Sequence, residues 1–84
     1  MPQFIDHHKG PPPPPEMVKA IQAAVKAGKT DPKTGLKAIM GMSGKDDQYC
    51  VMEGPNAQAI HKYHESMGIH LGPGDVVELV RIVA

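Results

Sequence analysis

The side chains most able to do chemistry in this chain are one thiol and a set of imidazoles. Cys50 stands in YCVMEGP, and His61 and His64 follow, three residues apart, in AIHKYHESMG. Near the other end, Asp6 and His8 fall in QFIDHH. Histidine and cysteinate form a donor set for nickel, copper, zinc or cobalt, whereas calcium and magnesium take oxygen. An aspartate beside them acts as a further ligand or as the acceptor that fixes an imidazole tautomer. His8, Cys50, His61, His64 and Asp6 are therefore the candidate ligands, provided the fold gathers segments distant in sequence. Each has a plainer reading. A lone strand cysteine is commonly inert core, a histidine on an apolar stripe is commonly a hydrogen-bonded core residue, and His-x-x-His on a helix recurs by accident as well as by design.

The elements that must position these residues follow from periodicity. Gln3–His8 reads as a strand with Phe4, Asp6 and His8 on one face, although a strand ending at Asp6 would leave the histidines in a loop. Pro11–Pro15 is a polyproline II segment, a stiff spacer or else a ligand for a proline-binding module. Glu16–Ala27 is an amphipathic helix with Met17, Val18, Ile21, Ala24 and Val25 on one stripe and Gly28 as cap. Leu36–Ser43 reads as a strand with Leu36, Ala38, Met40 and Met42 on a common face. A GKDD turn joins it to a strand over Gln48–Glu53. Asn56 caps a helix over Ala57–Met67 whose stripe is Ile60, Tyr63, His64 and Met67, with His61 at its edge and Gly68 at its end. Asp75–Val83, apolar on both faces, is the last strand.

The order βαββαβ is that of the α+β ferredoxin-like plait, a four-stranded antiparallel sheet with two helices on one face, spanning residues 1–84 as a single domain. In that plait the first strand lies between the third and fourth, which brings His8 toward Cys50, while the second helix leans over both. The uncovered sheet face suits a second copy of the chain, giving a homodimer. Should Met40, Met42, Cys50 and Met52 share a face, four sulfurs would form a soft copper(I) site; a one-residue slip would separate them. The plainer expectation is that they pack the core or the dimer seam.

Composition narrows the function. The 84 residues carry no formal net charge with histidine neutral, which argues against nucleic acid as a partner, since phosphate binding needs a basic surplus. One cysteine cannot form an internal disulfide and suits a reducing compartment. The N-terminal segment has neither a basic stretch nor an apolar one of the signal-peptide kind, and no apolar run approaches the roughly 20 residues of a membrane span. The expectation is a cytoplasmic protein without a membrane partner.

The Asp-His-His first strand, YCVMEGP and the two-histidine helix before a glycine together resemble a small ferredoxin-like family of nickel-binding proteins, long carried as a domain of unknown function. Asp6 and His8 match its Asp-x-His, Cys50, Glu53 and Pro55 its third-strand motif, and His61, His64 and Gly68 its helix. Gly54, where alanine is usual, the proline run, His70 and the methionines depart from it. The resemblance implies nickel binding by a homodimer, in metal sequestration or homeostasis, with copper or zinc as alternatives and no established reaction. Binding through imidazole and thiolate would weaken below about pH 6. Two other readings stand beside it. One is a small enzyme with Cys50 as nucleophile and His64 as base, which lacks a visible residue to orient the base. The other is an interaction module using the proline run or the open sheet face.

Overall fold

The computed structural model describes residues 1–84. Its elements are β1 (Gln3–Lys9), α1 (Pro15–Ala27), β2 (Lys37–Ser43), β3 (Asp47–Glu53), α2 (Ala57–Ser66) and β4 (Val76–Leu79). The strands form one antiparallel sheet in the order β2-β3-β1-β4, with both helices on one face. This is the ferredoxin-like plait.

Strand β1 continues through both histidines to Lys9 and is central, paired on one side with β3 and on the other with β4. Asp6 stands opposite Cys50 on β3 and Val76 on β4. Directly opposed residues of an antiparallel pair share a face, so Phe4, Asp6 and His8 lie with Met52, Cys50 and Gln48 beneath the helices. The buried core there is small: Phe4, Leu36, Ile60 and Leu71, flanked by Met52, Tyr63, Ile69 and Val76. Val51 is also buried but lies on the other face, between Ile5 and Met40.

Helix α1 begins on Pro15, whose missing N–H costs nothing in the first turn, and ends on Gly28 in the left-handed region (φ 61°), its N–H donating to Ala24 O. It lies over β2 but buries no residue completely. Helix α2 starts at Asn56, whose Oδ1 accepts from Ala59 N at 2.9 Å. It buries Ile60 and His64, one turn apart and hence on one side.

Two strands depart from their sequence pattern. β2 carries a bulge between Ala38 and Met40. The extra residue reverses the faces beyond it, so Ala38 stays opposite Met52 while Met40 and Met42 oppose Val51 and Tyr49 on the open face. The four sulfurs are thus divided between the two faces, and the copper(I) cluster does not form. β4 stops at Leu79 instead of running to Val83. Leu79 pairs with Gln3, the first residue of β1. Pro2 beyond it has no N–H to donate, and its carbonyl accepts from Gly54 N at 3.0 Å. Val80 and Val83 are left 98% and 88% exposed.

Candidate metal centre

Asp6, His8 and His64 form one group beneath α2, with a possible ligand atom of each within 4.8 Å of the others. β1 supplies the first two from alternate positions on its helix-side face, and α2 supplies the third from the stripe that also buries Ile60. Asp6 and His64 are about 1% exposed, and His8 is half-buried. His64 Nε2 lies 3.2 Å from Asp6 Oδ1, and the rings of His8 and His64 are 6.1 Å apart between centroids. Ligands about 2.1 Å from an ion sit roughly 3–4 Å from one another. The Asp6–His64 pair is already at that spacing, and a nitrogen of the half-buried His8 lies within 4.8 Å of both.

Hydrogen bonding defines what these atoms can do. His64 Nδ1 is 2.9 Å from Ile60 O. A carbonyl only accepts, so Nδ1 carries the proton, and Nε2 is the nitrogen turned toward the cluster. A ring held this way by a backbone carbonyl is the usual posture of a metal-ligating histidine. Neither oxygen of Asp6 has a hydrogen-bond partner, nor does the buried Nδ1 of His8. The short Nε2–Oδ1 contact is therefore electrostatic and lies off the hydrogen-bond direction. A buried carboxylate left like this costs several kcal/mol unless a cation compensates it. In the metal-free chain that cation is a proton on His64. Burial alone would lower the imidazole pKa from 6.5, but the Asp6 carboxylate, the Cys50 sulfur and the Ile60 carbonyl outweigh it and raise it to about 10.

Two of the five residues proposed from sequence lie outside this group. Cys50 is half-buried on β3, on the helix side opposite Asp6, close enough to influence His64 but not among the three clustered residues. His61 is also half-buried and lines a separate groove with Asn56, Gln58 and Lys62. Three residues along a helix leave the two rings about 60° apart around the axis, so His64 faces the sheet and His61 is turned aside.

His7 points to the opposite face. It stacks on Tyr49 with ring centroids 4.9 Å apart, and its Nε2 is 2.7 Å from Asp47 Oδ1. The Asp47 carboxyl is held below its usual range, chiefly by that imidazole. Sequence reasoning left two features out. The Ile60 carbonyl is a backbone group with no signature in residue type. His70 is brought beside His8 by the loop after α2, where both line one cavity; only its residue type pointed to it.

No family model, curated protein or solved structure matches the chain. No helix is long and apolar enough to cross a membrane. The chain is thus a small ferredoxin-like fold with a buried Asp/His/His cluster that could hold a metal ion.

Proposed function

We propose that this chain is a cytoplasmic metal-binding protein that holds one late first-row divalent ion on Asp6, His8 and His64 and serves in metal sequestration or homeostasis. Nickel is the ion favoured by the motif resemblance, with zinc and copper as alternatives; imidazole with carboxylate accepts all three. The observation that carries the reading is the buried cluster of unpartnered acceptors, with the His64 tautomer set by Ile60. Cys50 flanks the site, where it is available as a further ligand on a softer ion. The protein acts as a homodimer through the open sheet face.

The enzyme alternative is weaker. A nucleophile, base and orienting acid need the two ring nitrogens of the base for different partners. His64 Nδ1 is committed to Ile60 O, which leaves Nε2 as the one nitrogen for both Asp6 and Cys50.

Untagged protein titrated with nickel, zinc and copper at pH 7.5, with elemental analysis of the purified sample, tests the proposal. Asp6→Asn and His64→Gln are each expected to weaken binding at least about tenfold, whereas His61→Ala changes it little. Unaltered affinity in both Asp6→Asn and His64→Gln would remove the cluster from consideration.

A further inference from the structure

A cavity of about 530 Å³ opens beside the cluster where β1 ends and the α2–β4 loop passes over it. Its lining includes His8, which belongs to the cluster, together with His7, Lys9, Ile69, His70 and Asp75. The volume lies within the range of small-molecule sites. We propose that this cavity binds a small organic carboxylate that completes the coordination of the metal, a reading that rests on the metal site proposed above.

Three observations lead there. First, two imidazoles and one carboxylate leave a divalent ion with open positions, as in sites that take an exogenous ligand. Second, that donor set supplies one negative charge against two positive ones. The site is nearly sealed at Asp6 and His64, so the remaining positive charge is poorly solvated and favours an anion. Third, the half-buried His8 belongs to both the cluster and the cavity lining, so a ligand in the cavity meets the site at His8.

The polar groups around the opening decide how a ligand is held there. Asp75 does not compete for the ion, because its Oδ2 accepts from Gly72 N at 2.7 Å and its Oδ1 faces His7 Nδ1 at 4.0 Å. Lys9 is 82% exposed on its side chain and shares Asp47 with His7. Lys9 and His70 both line the cavity, where an ammonium and a ring N–H can donate to a carboxylate.

The probe is malonate, added to cobalt(II)-loaded protein while the cobalt absorption bands and retained cobalt are followed together. The expected result is a saturable band shift with cobalt retained, and about tenfold weaker malonate binding in the Lys9→Ala, His70→Ala double variant, which still holds cobalt. Both substituted residues are exposed, so folding should be little affected. A stable cobalt spectrum that malonate does not change would overturn the carboxylate proposal and leave the metal site standing. A shift of equal affinity in the double variant would also overturn it, because the ligand would then be reaching the ion by another path, as would malonate that only strips the cobalt. Failure to take up cobalt at all would overturn both readings.

Discussion

His64 carries a proton or a metal ion on the same nitrogen, never both, and this determines how the site responds to pH. Its pKa of about 10 in the folded chain lies above the 6.5 of an ordinary imidazole. A group raised on folding contributes stability that is complete below its unfolded pKa and is lost as pH rises through its folded pKa. The metal-free protein should therefore lose this contribution between about pH 6.5 and pH 10. Urea midpoints measured across that window should fall more steeply for the wild type than for His64→Gln. Metal binding runs the other way. Each ion displaces about one proton from Nε2, so affinity should climb by roughly tenfold per pH unit over the same range. The sequence alone suggested weakening below about pH 6, as for free imidazoles. The buried carboxylate moves the dependence upward, and chelator-buffered titrations at pH 7, 8 and 9 distinguish the two. A flat profile would mean that His64 binds the ion without first losing a proton to solvent.

At the scale of elements, α2 and the turn that starts it decide where His64 points. Asn56→Ala removes the oxygen that accepts from Ala59 N and should cost about 1 kcal/mol, with Asn56→Asp nearly neutral in thermal unfolding. Gly54 is a tighter constraint. A Cβ there would come within 2.5 Å of Leu36 Cδ2 and 3.7 Å of Ile60 Cδ1. Gly54→Ala should thus destabilise by about 1–3 kcal/mol through overpacking, and Leu36→Val in the same chain should recover part of the loss. The alternation Phe4, Asp6, His8 and the stripe shared by Ile60 and His64 were legible in the sequence, because each follows from the period of its element. The β2 bulge was not legible, since nothing in LKAIMGMS marks one extra residue in a ladder. Nor was the early end of β4, because VVELVRIV continues to look like a strand after its partner has run out. The inward turn of His64 and the aside of His61 were only half legible, the stripe placing one ring on it and the other at its edge.

The molecule as a whole separates its two proposed activities by face. The Asp6–His8–His64 cluster is complete within one chain and lies beneath the helices. The opposite face presents Ile5, Met40, Met42, Tyr49 and Val77 around the buried Val51, with Met42 45% and Val77 54% exposed. Apolar surface of this kind on a sheet without a second layer is where a further copy would pack. A charge buried in such a seam without a partner is strongly unfavourable, so with the proposed homodimer Val77→Lys combined with Met42→Lys should sediment as a monomer where the wild type sediments as a dimer. Because no residue of the cluster lies on that face, the monomeric variant should still bind about one ion per chain with unaltered affinity. Loss of metal on dissociation would instead mean that a ligand crosses the interface, and the three-residue site would be incomplete. A wild-type protein that sediments as a monomer would remove the homodimer and leave the metal site intact, since the two rest on opposite sides of one sheet.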